Sequence, residues 1–364
     1  MIGRHSSTLE TPALCVDLDI LEQNAARIGE RLKACEKRSR CHAGGLLSAS
    51  LIRYLAPFGL SGAALPSLSM AEIVAEAGET DLVVTRPIVG PDKLERYARL
   101  ARRVRLVGTV DHYVHAEQID SICHREGLRA ELLVEVNLGR HHLGVRPGPD
   151  TQHLLRGIRR LTNVEVIGLA GDAGHLGTVT PAAERERLVR SAMGILGETR
   201  DRMAQDGMRC DVVSVAGADL LGEAARCPEP TELRIGGDVF GDPQRPAEDL
   251  SLRPALCLIG TVLHRGKLER AVLDCGAAAF SSFERRPIVR RIAGGHELPD
   301  AAIDAVDDDT CRLALGVESY DLRIGDRVEL VPSPDSVRHS AHRFVYAIRS
   351  GAVVDVWPLD LRSL

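Results

Sequence analysis

The chain alternates between short, evenly apolar runs and longer stretches whose apolar residues recur every three or four positions. Runs of strand length fall at 39–44, 59–65, 81–88, 104–110, 130–137, 164–171, 210–217 and 232–240. Amphipathic stretches such as "PDKLERYARLARRV" and "AAERERLVRSAMGILGETRDRMAQDG" separate them, the first with Pro91 near its start, where helices accept proline. A strand that is apolar along its whole length is buried on both faces. Eight of them with helical crossovers predict an α/β protein built as a parallel (β/α)8 TIM barrel. Ahead of these, "ALCVDLD" (13–19) reads as a strand. Asp19 with Glu22 reads as the capping box of a helix whose apolar positions are Leu21, Ala25, Ile28 and Leu32.

After about residue 244 the period changes to two. "LCLIGTVLHRGKLERAVLDCG", "RVELVPS" and "RFVYAIRSGAVVDVWPLDL" alternate and turn at Arg-Gly and Ser-Gly, which predicts an antiparallel β domain. The segment "RRIAGGHELPDAAIDAVDDDT" is polar and reads as a surface loop.

Composition narrows the classes. The 364 residues are 44% hydrophobic with a formal net charge of −5, and no long basic run offers a nucleic-acid surface. No apolar run reaches the ~18 residues of a membrane span and the first residues lack an apolar leader core, so a cytoplasmic setting is expected. Nine cysteines are scattered without a CxxC pair, consistent with reduced thiols. Lysine is scarce: Lys33, Lys37, Lys93 and Lys267 stand against 42 arginines.

The blocks "TPALCVDLDILEQNAARI", "LLVEVNLGRHHLGV", "VIGLAGDAGH", "TELRIGGDVFGD", "AVLDCG", "IGDRVELVPS" and "GAVVDVWPLDLRS" follow one another over nearly the whole chain. In that order they resemble the D-threonine aldolase and D-serine dehydratase family, fold-type III pyridoxal-phosphate enzymes with an alanine racemase-like fold. The resemblance implies that the β domain also takes the N-terminal strand, giving a barrel over 20–243 and a β domain from 1–19 with 244–364. It also implies a two-fold homodimer and a small, polar, amino-acid-like substrate.

Where the family carries Arg-Pro-His-x-Lys-Thr-His-Lys after the first barrel strand, this chain reads Arg40-Cys41-His42-Ala43-Gly44-Gly45-Leu46-Leu47. The lysine that forms the Schiff base aligns with Gly44, which has no amine, and none of the four lysines lies at the end of a predicted barrel strand. The expectation is therefore a chain without covalent pyridoxal phosphate. The phosphate-binding glycine block reads Val215-Ala216-Gly217-Ala218 before Asp219. Two family tyrosines appear as Asp172, ahead of His175, and as Asp238. The zinc-ligand positions align with Pro334 and Ser336, and a further family histidine with Ser319, so the inherited metal site is expected to be gone.

Three positions turned acidic beside two imidazoles suggest a repurposed mouth. His42, Asp172, His175 and Asp238 are the candidate catalytic residues, and Arg40, Arg140 and Asp219 the candidate substrate contacts. His42, Asp172, His175, Asp219 and Asp238 together form the candidate site for a new divalent metal. Three readings stay open: a repurposed enzyme, an inactive partner of an active relative, and a small-molecule binder without chemistry. Weaker candidates are His141 and His142 in "GRHHLG", His339 and His342 in "RHSAH", and Cys41 as a thiolate beside His42.

Overall fold

The computed structural model describes residues 1–217, 220–244, 250–280 and 286–361. It divides into two compact units, Met1–Arg27 with Gly237–Arg362, and Ile28–Gly236. The strands in chain order are β1 (Ala13–Asp17), β2 (Arg38–His42), β3 (Ala63–Leu65), β4 (Asp81–Val84), β5 (Arg105–Val110), β6 (Ala130–Glu135), β7 (Val164–Asp172), β8 (Val212–Ala216) and β9 (Glu232–Ile235). Then follow β10 (Leu256–Lys267), β11 (Arg270–Leu273), β12 (Ile288–Ile292), β13 (Ala302–Val306), β14 (Cys311–Ala314), β15 (Arg327–Val331), β16 (Phe344–Arg349) and β17 (Ala352–Pro358).

In the unit Ile28–Gly236, β2 to β9 form a closed barrel in sequence order, all parallel. The ring closes where Arg38 to Cys41 of β2 pair with Glu232 to Ile235 of β9. Six of the eight strands lie inside the apolar runs, β2 begins one residue before its run and β7 ends one residue after its own. The helices between them start on identifiable caps: Ser48 Oγ accepts from Leu51 N–H at 3.4 Å and Ser67 Oγ from Met70 N–H at 3.4 Å, while helix Pro91–Ala101 begins on proline. One glycine is sterically required. A Cβ on Gly168 of β7 would fall 1.9 Å from the carbonyl oxygen of Val212, beside a register shift between β6 and β7.

Strand alternation sorts the barrel interior into layers. Val83, Val107, Leu133, Ile167, Ala170 and Val212 form an apolar cluster. At the N-terminal strand ends Arg105 binds Asp81 Oδ1 at 2.9 Å and Glu131 Oε2 at 2.7 Å, while Arg129 reaches Glu165 at 3.3 Å. The C-terminal ends carry the residues of the mouth.

The unit Met1–Arg27 with Gly237–Arg362 holds a nine-stranded sheet. Its main path is β13-β14-β11-β10-β1-β16-β17, and β15 joins β10 to β12. The sheet is antiparallel except where β1 runs parallel to β16. The N-terminal strand is thus its member, between β10 and β16. The polar segment read as a surface loop instead contributes β13 and the end of β12, because Ile303 and Leu298 are buried and Ile292 and Val306 pack against Phe280, Leu313 and Leu330.

Helix Leu18–Ala34 starts two residues earlier than a cap at Asp19 would set it. Asp17 accepts from Ile20 N–H at 3.2 Å, which leaves Asp19 in the first turn. The units meet the sequence at Arg27 and Gly236, not at 19 and 243. Buried Asn24 accounts for the first boundary: its amide donates to Val239 and Arg253 carbonyls at 2.9 and 2.7 Å and accepts from Arg253 N–H at 2.9 Å. No described helix is long and apolar enough to cross a membrane.

Candidate active site

The barrel mouth is organised by the loop that follows β6. Asn137 Oδ1 accepts from the backbone of Gly139 at 2.9 Å and of His141 at 3.2 Å, curling the loop back on itself. Gly144 N–H donates to Asp111 Oδ2 at 2.9 Å, tying the loop to the end of β5. Arg140 is thereby carried over the end of β7, where its guanidinium pairs with Asp172. The other Asp172 oxygen accepts from Gly174 N–H at 2.8 Å. His175 follows in the short helix Gly174–Thr178. A Cβ built on Gly139 would lie 3.5 Å from its Nε2, and its buried Nδ1 has no hydrogen-bond partner. The structure therefore brings Arg140, Asp172 and His175 together.

His42 ends β2. The chain then makes a single helical turn, Ala43–Leu46, closed by Leu47 in the left-handed conformation at φ 62°. A Cβ added to Gly44 would lie 2.9 Å from His42 Cε1 and 3.7 Å from Pro66. The imidazole thus lies across the direction in which a side chain at 44 would leave.

Beneath the mouth runs a buried polar column. Arg40 reaches Asp81 Oδ2 at 3.0 Å and the Asp81 carbonyl at 2.9 Å, and its Nε donates to Glu232 Oε1 at 3.0 Å. Ser214 donates to the same Glu232 oxygen at 2.7 Å and accepts from Arg234 Nε at 3.0 Å. Burial disfavours the Arg40 charge, but Glu232 and Asp81 outweigh it and hold the guanidinium above its ordinary value. Arg40, proposed as a substrate contact, is therefore committed to the barrel interior and its N-terminal rim.

At the upper end of the column Arg234 Nη2 is buried without a partner, as are Glu135 Oε2 and Thr109 Oγ1. Burial pushes the Glu135 carboxyl up to about 7; Arg234 opposes the shift, and Asp172 and Asp111 add to it. Glu135 and Arg234 are the residues that the sequence reading passed over. The available signal was a charged residue inside a run expected to be buried on both faces.

Asp238 belongs to the other unit, in the short helix Gly237–Phe240, and Asp219 lies outside the described residues. Ser336 donates to the Ser333 carbonyl at 2.7 Å, and Ser319 to Asp300 at 2.5 Å. Both are buried structural hydroxyls, and Pro334 offers no side-chain ligand atom. No group of three or more His, Cys, Asp or Glu able to hold a metal occurs among the described residues. The five-residue metal site is therefore not formed among the described residues, where Arg140 takes Asp172. Cys41 is fully buried, and burial pushes its thiol up to about 12, which removes it as a thiolate.

A closed eight-stranded parallel barrel with a separate, largely antiparallel sheet unit defines the alanine racemase-like class of fold. Residues 16–244 match the alanine racemase N-terminal domain, and the chain belongs to that family. It is similar to a D-threonine aldolase of Arthrobacter sp, at 24% identity over 99% of this chain and 95% of the relative. It is also similar to the D-threo-3-hydroxyaspartate dehydratase of Delftia sp. (strain HT23), at 30% identity over 75% of this chain and 73% of the relative. The crystal structure of D-threonine aldolase from Filomicrobium marinum superposes with a TM-score of 0.90 at 25% identity, covering 100% of this chain and 98% of that one.

These comparisons correct the cofactor expectation. The expectation was a chain without covalent pyridoxal phosphate, with a divalent metal as a candidate only. The family match runs through position 44, and the full-length relatives are aldolases of the class to which the resemblance attaches that cofactor. The changed positions do not take the chain out of that family. At position 44 itself the residues do not fit a lysine-linked group: glycine has no amine, and the His42 ring crosses the exit direction.

Proposed function

We propose that the chain is a lyase-type enzyme that takes a small, polar β-hydroxy amino acid of D configuration into the C-terminal mouth of its barrel. The observation that carries this reading is the assembly of Arg140, Asp172 and His175 at adjacent strand ends, with a buried imidazole nitrogen left unpartnered beside an ion pair. The relatives support it: aldolases and dehydratases of D-threonine and 3-hydroxyaspartate all work at a carbon bearing a hydroxyl.

In this reading Arg140 meets the substrate carboxylate at the rim and Asp172 sets its orientation. His175 and His42 hold or move protons at the substrate's polar groups. Asp238 and Asp219 keep their candidate roles as catalytic and substrate-contact residues only within this proposal. The working form is a two-fold homodimer, to be checked by light scattering at micromolar concentration.

The purified protein is assayed with D-threonine and 3-hydroxy-D-aspartate, with and without added pyridoxal phosphate and divalent metal. Aldehyde plus glycine reports cleavage, and 2-oxo acid plus ammonia reports dehydration. One product pair is expected, with H175A lowering its rate by roughly 10²–10⁴-fold. No product under any condition would favour the second reading, an inactive partner of an active relative, to which Gly44 and the neutralised Asp172 point.

A further inference from the structure

The cysteines are scattered along the sequence, yet the sheet unit brings two of them into contact. Cys275 and Cys311 stand 36 positions apart, and their Sγ atoms lie 3.8 Å from each other. This is the one contact between two cysteine sulfurs among the described residues. The pairing of β11 with β14 produces it. Leu273 lies opposite Cys311, and Ala271 opposite Leu313. Residues two apart on a strand share a face, so Cys275, two past Leu273, turns to the face that Cys311 and Leu313 occupy. All five side chains are buried in one apolar cluster.

The surrounding chain leaves the pair little room to separate. A Cβ on Gly260 of β10 would fall 2.8 Å from Cys275 Sγ, and one on Gly276 would fall 2.5 Å from the Thr310 nitrogen. The N–H groups of Ala277 and Ala278 donate to the carbonyls of Asp307 and Asp308 at 2.9 and 3.0 Å, and Asp307 N–H to the Thr310 carbonyl at 2.8 Å. The turn that leads into Cys311 is thus fastened to the chain that leaves Cys275. Closing the gap between the sulfurs takes rotation of two side chains and no new pairing of strands.

We propose that Cys275 and Cys311 are a redox site, a reduced pair that a low-molecular-weight disulfide converts into a disulfide bond between the end of β11 and the start of β14. One protein thiol gives its proton to water, and its thiolate attacks a sulfur of the reagent, expelling half of it as a thiolate. The second protein thiolate then attacks the mixed disulfide and expels the other half. The two protein thiols lose two electrons and two protons, and the reagent leaves as two thiols. The contact with Cys311 and burial push the Cys275 thiol well above its ordinary value, so the closed strand pair is inert. Oxidation waits for the 307–310 turn to open and is therefore slow. The bond closes 275–311, with β12 and β13 inside it, into one loop and restricts the unfolded chain.

The test incubates the full chain with oxidised glutathione, blocks the remaining thiols with iodoacetamide in denaturant and maps the peptides by mass spectrometry. A cross-linked Cys275–Cys311 peptide is expected, lost on adding dithiothreitol and formed on the order of tenfold more slowly than the mixed disulfide at half-buried Cys35. The oxidised protein is expected to resist thermolysin on the order of tenfold longer than the reduced one, and C275A and C311A to form no link and gain no resistance. The proposal is overturned if Cys275 and Cys311 stay unlinked after Cys35 has reacted. A link between Cys15 and Cys257 in its place, which face each other on β1 and β10, overturns it too. So does an oxidised protein no more resistant than the reduced one, because the bond would then have broken the strand pairing. Should either variant not fold, the peptide map of the wild type decides alone.

Discussion

The two ends of the barrel handle charge in opposite ways. At the N-terminal rim, Arg105, Asp81, Glu131, Arg129 and Glu165 are half-exposed and each finds a counter-ion. Towards the mouth, Thr109, Glu135, His175 and Arg234 keep buried polar atoms with no partner among the described residues. Exposed pairs contribute little, because water screens them and long side chains lose freedom. Buried orphans cost about 1–3 kcal/mol each, so within the barrel interior those near the mouth mark where the fold gives up stability for something else. The column from Asp81 through Arg40 and Glu232 to Arg234 links the two regimes.

The sharpest way to break this comparison is to cut the column. Glu232→Gln or Arg40→Met leaves a buried charge unanswered and should cost roughly 3–5 kcal/mol in urea unfolding, with an unchanged slope. A loss below about 1 kcal/mol would mean the column is no more than a rim pair displaced inward.

The next effect concerns Glu135. Its unfolded carboxyl releases the proton near 4.5 and the folded one near about 7. Between these values the folded state holds the extra proton, so the associated stability is full below 4.5 and is lost as pH rises through 7. The wild type should lose on the order of 3 kcal/mol across this window relative to E135Q. Parallel pH–stability curves for the two proteins would place Glu135 with the rim carboxylates.

The smallest effect is expected at the rim itself. Arg105→Ala removes contacts to both Asp81 and Glu131, yet its side chain is 42% exposed, and the cost should stay below about 1 kcal/mol and shrink in salt. A larger loss would show that Asp81 transmits the cut to Arg40.

Much of the barrel was legible because strands buried on both faces leave continuous apolar runs, and eight runs leave little choice of architecture. The site was less legible for the same reason. In "TELRIGG" the alternation of Glu232 and Arg234 with Leu233 and Ile235 looks like a strand with one wet face. Only closure of the barrel turns that face into a dry interior where charges must find each other. Arg40 was misjudged in this way, since its partners come from β4 and β9, far away in sequence. Asp172 was seen as an acid, but its neutraliser sits on a loop whose path depends on Asn137 and Gly144. The segment 290–310 was misread because its few apolar residues, Ile292, Leu298, Ile303 and Val306, are diluted among charges.

The place of β1 has a consequence in time. Its Cys15 lies opposite Cys257 on one side and Tyr346 on the other, so both neighbours leave the ribosome only after the whole barrel has been made. At ~5–20 residues per second the strand waits on the order of tens of seconds with neither edge paired. Although made before every barrel strand, β1 is thus among the last to be enclosed, and a chaperone acting on the nascent chain would find "ALCVD" uncovered throughout that interval.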